Sequence, residues 1–522
     1  MLHIMTTHIS TFAIFQLVAL IASLGLASPS LAQEFIISAE PDVTEPSTNL
    51  LPSLPKTDLE KRLEEAERTI AKLTDQLGDQ RPAEPTEVEE RLAAIEEQLR
   101  KEKEAADKEV VAEASESGST LDQWEGWTDT SDEKWTHKIG GRLLGETVMW
   151  SDAAGIPRSQ NYTEIRQVRL SMAGTGYGVL DYRIQMDFEP EARNTFDLDD
   201  NNIPGDSIVS TTFGSVGMKD LYVGVHDVPG LGYVRVGHFK VSFSHDQLLS
   251  RRDMTFMERY PMADPNGFTP GREIGIQSHN YSANQKVTWQ VGAFVDNILE
   301  TAKELVDDNQ GFVLNARGTW TPYYDEPSGG RYLVHLGLGA LYTRPENDSG
   351  RFLQRPEIHE GPPLIDTGPI TANDYTVLGT EALVHWGPVY VNHELMWANV
   401  NAAGGNINLY SGYVEAGAFL TGEHRNYERN LGFFGDMEPF ENAWFTPGCC
   451  GRGAWEVAAR WSFVDFSQSP NASKYNSLNL ALNWYWNPRM RVQMNWIQPY
   501  TDGAPLGNTD PQILSLRVGA FF

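Results

Sequence analysis

From residue 138 onward the chain runs as segments of about 10 to 13 residues in which apolar and polar side chains alternate, separated by clusters of Gly, Pro, Asn and Asp. Between 179 and 188, for example, Leu180, Tyr182, Ile184, Met186 and Phe188 fall on one side, and Asp181, Arg183, Gln185 and Asp187 on the other. About sixteen such segments are joined alternately by tight turns (174–178, 227–231, 386–389, 487–489) and long connections (190–215, 344–373, 421–452). This pattern predicts an all-β fold: a sixteen-stranded antiparallel transmembrane β-barrel over 135–522. A soluble barrel would turn its apolar face inward and could not fill so wide an interior with side chains. The apolar face is therefore read as facing lipid, with every backbone group paired around a closed sheet. Trp150, Trp320, Trp386, Trp484, Trp486 and Trp496 fall near segment ends, where interfacial girdles sit.

Ahead of the barrel the period changes. Leu59, Leu63, Ala66, Ile70, Leu73 and Leu77, then Val88, Leu92, Ile95 and Leu99, are spaced alternately four and three apart. They predict an α-helical coiled-coil segment over 58–104, although a single solvated helix would carry the same spacing. The flanks 33–57 and 105–134 have too little apolar surface to order themselves and read as a disordered linker and an acidic linker. Residues 1–32 read as a signal peptide, with an apolar run from Phe12 to Leu26 and small residues before a cleavage point after Ala32. Since this n-region has no Lys or Arg, a membrane anchor is the alternative. At the other extreme Leu514, Leu516, Val518, Ala520 and Phe522 alternate with Ile513, Ser515, Arg517, Gly519 and Phe521, the kind of terminal aromatic strand common in outer-membrane barrels. An outer-membrane location with lipid contact follows, the N-terminal extension lying in the periplasm.

The formal net charge of −30 argues against a nucleic-acid partner. Residues 34–134 hold 28 acidic and 12 basic side chains, so about half the excess lies outside the barrel. Within it, period two puts Arg142, Arg169, Arg183, Arg235, Arg317, Arg460, Arg491 and Arg517 opposite the apolar side chains, facing the lumen. Guanidinium stays charged and offers a planar donor fork, so such a lumen favours passage of small anions, unless the arginines merely pair with wall carboxylates such as Asp181, Asp187 or Glu146. Other features read blandly. The adjacent Cys449 and Cys450 belong to a loop, and Asp197, Asp199, Asp200 and Asp206 lack EF-hand spacing. His335, His385 and His393 lack metal-ligand spacing. No nucleophile and base pair stands out, so neither an enzyme nor a bound cofactor is expected.

The connection 241–271 mixes Leu248, Leu249, Met254, Phe256 and Met257 with Arg251, Arg252 and Arg259, the composition of a loop packed inside the channel. Here Gly-His-Phe-Lys at 237–240, Thr-Phe-Met-Glu-Arg at 255–259 and Pro-Gly-Arg at 270–272 resemble the phosphate-selective porin O/P family. The resemblance implies a homotrimer of sixteen-stranded barrels in which the third extracellular loop builds an anion-binding constriction. Carried over by position, Ser250 and Arg259 would face the anion, with Arg251, Arg252 and Arg272 beside them. Where the family's phosphate binders have a Lys ahead of paired hydroxyls, this chain has Gln247 ahead of Ser250 and Arg251. Passive anion diffusion is the expected function. The rival is an envelope tether, whose coiled coil grips peptidoglycan or a periplasmic partner.

Overall fold

The computed structural model describes residues 127–132, 134–188, 217–263, 267–296, 310–444, 451–503 and 505–522. The expected signal peptide, first linker and coiled coil, most of the acidic linker, the aspartates between 197 and 206, and Cys449 with Cys450 lie outside the described residues.

Seven strands make the first side of the barrel: β1 (Trp135–Ser151), β2 (Tyr162–Gly176), β3 (Leu180–Asp187), β4 (Gly217–Val228), β5 (Gly232–Lys240), β6 (Arg272–Tyr281) and β7 (Val287–Asp296). Nine more complete the circuit. These are β8 (Gly311–Tyr324), β9 (Tyr332–Arg344), β10 (Ile370–Trp386), β11 (Val389–Ala402), β12 (Gly405–Phe419), β13 (Ala454–Asp465), β14 (Ser473–Asn487), β15 (Met490–Gly503) and β16 (Gln512–Phe521). Each pairs antiparallel with the next, and β16 closes on β1 from Arg142 opposite Phe521 to Ser151 opposite Gln512. A short strand, Trp127–Asp132, folds back on the start of β1, inside the stretch read as an acidic linker.

Alternation sets the two faces. Leu338 is 66% exposed on the outside, whereas Asn479 is fully buried within. Aromatic rings gather at the end that carries the tight turns: Trp135 beside Tyr177, Tyr323 and Tyr332 against Trp386, and Trp484 against Trp455 and Trp486. One irregularity matters. Gln167 pairs with Leu144 and Ile165 with Gly145, so Arg166 is the extra residue of a β-bulge. The bulge turns Arg166 and Gln167 both inward.

The connections depart from simple alternation. Segment 420–453 follows β12 and therefore leaves from the end of the tight turns, not from the long-loop end with which its length had grouped it. The link between β11 and β12, Ala403 and Gly404, is a two-residue turn at the opposite end. Strand parity decides the end, and length does not.

Nor is the interior uniformly polar. Three segments fold into it: 241–271 and 345–369 from the long-loop end, and 420–444 from the turn end. The first two bury Phe243, Phe268, Phe352, Ile365 and Met262 against inward Val313, Leu341, Val377, Met396, Ala398 and Leu409. Gly339 and Gly379, paired across β9 and β10, form a seat for Phe243. A Cβ on either would come within 2.9 Å of its ring. Where these apolar loop side chains rest, the inward wall positions are apolar too.

Candidate functional site

Segment 241–271 crosses the interior on a frame of its own. A single helical turn, α1 (His245–Leu248), is capped by Ser244, whose hydroxyl accepts from the Gln247 backbone N–H at 3.4 Å. The Gln247 side chain donates to the carbonyls of Val241 (2.7 Å) and Pro270 (3.2 Å), clipping the two ends of the loop together. Lys240 donates to the carbonyls of Gln247, Leu248 and Leu249 at 3.0 to 3.1 Å, where the helical turn leaves acceptors unsatisfied. Leu249 and Met254 pack on Leu333, Leu383, Tyr427 and Phe434, and Phe256 packs on Ala458 and Ala481.

Between this loop and β1 to β7 lies a chamber of about 210 Å³. Nine cationic side chains line it: Arg142, Arg169, Arg183, Arg235, Lys240, Arg251, Arg252, Arg259 and Arg272. Two carboxylates, Asp220 and Asp253, line it with them. Leu431 and Phe433, from the segment that enters at the turn end, complete the wall. All five residues expected at the constriction are here, Ser250 included, together with four of the eight expected lumen arginines.

Their surroundings differ. Arg142 donates to the Ser250 hydroxyl at 2.9 Å. The Arg235 guanidinium lies 4.7 to 5.5 Å from the rings of Phe239, Tyr222 and Tyr233. Neither has an ion-pair partner among the described residues. Asp220 sits between Arg272 (2.6 Å) and Arg183 (3.6 Å), and Arg169 pairs with Asp187 at 2.6 Å. Arg252 pairs with Asp253 and with Asp436 of the turn-end segment. Arg259 braces the loop, donating to the carbonyls of Asp246 (3.1 Å) and Leu249 (2.7 Å). Arg259 is thus largely committed to holding the loop's shape, and it is Arg142 that bonds the Ser250 hydroxyl.

The other four expected lumen arginines also point inward, but they do not line the chamber. Arg317 makes a two-pronged pair with Glu381 (2.8 and 2.7 Å), which His335 also contacts at 3.0 Å. Arg460 meets Glu357 at 3.1 Å and lies over the Phe256 ring at 4.2 Å. Arg517 bridges Glu146 and Glu258. Arg491 donates to the carbonyls of Met254 and Arg251. Each is sealed against an in-folded segment or a wall carboxylate. Glu258 is the hub, since Arg166 (3.2 Å), Arg251 (3.4 Å) and Arg517 (2.7 Å) all reach it. Burial opposes its ionisation, but these guanidiniums outweigh it and hold the carboxyl well below the usual carboxylate range.

Sequence reasoning missed Arg166, because strict alternation from Arg169 puts it outside. It missed Arg425 as well, which joins Glu456 (2.9 Å) to the carbonyl of Asp253 and the Thr255 hydroxyl. Lys240 was in view only as part of a motif. Chemically, a pocket with such an excess of fixed positive charge can concentrate anions, and guanidinium forks suit oxyanions.

A closed barrel of sixteen antiparallel strands, apolar outside, with loops folded into a lumen that carries the charged side chains, defines an outer-membrane porin, a channel protein. More narrowly, the chain belongs to the phosphate-selective porin O and P family, whose profile matches residues 146–519. Porin O of Pseudomonas aeruginosa is 22% identical over 423 residues, spanning 73% of this chain and 86% of that protein. An uncharacterised protein of Caulobacter vibrioides is 27% identical over 310 residues, or 57% of this chain and 59% of the relative. Among solved structures, an anion-selective porin from Comamonas acidovorans aligns over 74% of this chain and all of its own, with a TM-score of 0.45 at 13% identity.

Proposed function

We propose that this porin conducts small anions by passive diffusion through the arginine chamber, which segment 241–271 narrows. The observation that carries the reading is the imbalance at the chamber wall, nine cationic side chains against two carboxylates, in a protein whose overall charge is −30. Fixed charge of one sign in a narrow, low-dielectric passage enriches counter-ions and excludes co-ions, so selectivity follows the local sign and not the net charge. The planar forks of Arg142, Arg183 and Arg235 favour oxyanions such as phosphate over a spherical halide. The homotrimer implied by the family resemblance belongs to this reading, and cross-linking in native membranes tests it.

In planar bilayers with a potassium chloride gradient, the purified protein is expected to reverse at the potential of an anion-selective pore, and replacing chloride with phosphate ranks the two anions. Cation selectivity at neutral pH would overturn the proposal.

A further inference from the structure

The tip of segment 345–369 reaches the wall opposite its own strands and lays His359 against Glu164 of β2, with Glu146 of β1 alongside. His359 Nδ1 stands 2.6 Å from Glu164 Oε1, and one ligand atom from each of the three side chains lies within 4.8 Å of the others. We propose that His359, Glu164 and Glu146 form a binding site for a divalent cation of zinc type, which staples this segment to the far wall.

One imidazole nitrogen and two carboxylate oxygens, with a fourth position left to water, is a donor set suited to zinc and its first-row neighbours. Zinc bonds of about 2.1 Å place tetrahedral ligand atoms roughly 3.4 Å apart, so small side-chain rotations suffice to close the cluster. The orientation of the imidazole supports the assignment. Nδ1 faces the carboxylates, while Nε2 lies 3.7 Å from Glu360 Oε1, beyond hydrogen-bond reach but near enough that a small rotation would put a carboxylate behind the ring, the arrangement that fixes the tautomer in metal sites.

The backbone is already held. Ile358 packs with Val148, Ile497 and Ile513, the Glu360 N–H donates to the Tyr162 hydroxyl at 3.1 Å, and Arg355 donates to the His359 carbonyl at 2.9 Å. Charge points the same way. Arg517 is shared between Glu146 and Glu258, whereas Glu164, with its side chain 22% exposed, makes no ion pair with Arg or Lys among the described residues. Two carboxylates on one imidazole call for a proton or a metal between them, and Arg517 occupies Glu146 Oε2, which leaves Oε1 for the cation. None of the three ligands lines the anion chamber.

The test is equilibrium dialysis of the full chain, folded in detergent, against zinc chloride, with Cys449→Ser and Cys450→Ser in the background to remove thiol ligands. One zinc per chain is expected, with binding at least about tenfold weaker in His359→Ala and in Glu164→Gln and unchanged in His393→Ala. Heat-modifiable gel migration verifies that each variant is a closed barrel. X-ray absorption on the unsubstituted site, expected to find one imidazole among oxygen donors, gives a readout that survives misfolding of a variant. Absence of binding at free zinc up to about 100 µM, equal binding in both variants, or a spectrum without imidazole overturns the proposal.

Discussion

Arg235 and Arg317 arise from the same sequence rule, an arginine on the polar face of an alternating strand, yet they end in opposite physical states. Arg235 lies over three aromatic rings at the chamber wall and makes no ion pair among the described residues. Arg317 is fully buried, with both prongs on Glu381. The contrast extends to whole halves of the lumen. On the side of β1 to β7, cations outnumber carboxylates at an open wall, while on the side of β8 to β16 each expected arginine is tied to in-folded chain or to a carboxylate. An arginine on the same face of the sheet thus ends at the open chamber or sealed in packing according to what the rest of the fold brings against it.

This contrast can be broken at its strongest point first. Replacing both Arg142 and Arg235 with Glu is expected to reduce the anion-over-cation permeability ratio at least about tenfold or invert it, read from reversal potentials. Glu381→Ala leaves the Arg317 charge buried and unpaired. Its expected cost is about 3–5 kcal/mol of stability in denaturant titrations, with selectivity unchanged in whatever barrel still closes. A bulkier wall at the seat of Phe243, as in Gly379→Val, is expected to cost about 1–3 kcal/mol and to raise channel noise as segment 241–271 loses its anchor. At the small end, Glu326→Ala removes the exposed partner of Arg429 at the rim and is expected to change stability by less than about 1 kcal/mol, without effect on conductance. Equal loss of selectivity in the Arg235 and Arg317 single alanine variants would erase the distinction between the halves.

Much of the barrel was legible because its signal is local. Period two along 179–188 and 512–522 fixes strands and faces without knowledge of their neighbours. Inward placement of the eight arginines followed from the same rule. Arg166 did not, because a bulge shifts the phase by one residue and leaves no mark in the alternation. The end from which 420–453 departs was recoverable in principle, since Ala402-Ala403-Gly404-Gly405 marks a two-residue turn that changes the parity count. Pairing was beyond reach. Glu258, Glu357 and Glu381 meet their arginines over 259, 103 and 64 residues of chain, and no spacing rule links such positions.

The seam between β16 and β1 bears on how this molecule is assembled. Gly141 and Phe522 exchange backbone hydrogen bonds of 2.6 and 3.0 Å, so the pair that shuts the ring is also among the most distant along the chain. Contacts of that separation form late, after the entropy of a very long loop has been overcome. Until they do, the sheet is an open ribbon with two unpaired margins, each a template for another chain. A polypeptide cut before Gln512 is expected to remain such a ribbon and to aggregate, however well its other fifteen strands are patterned.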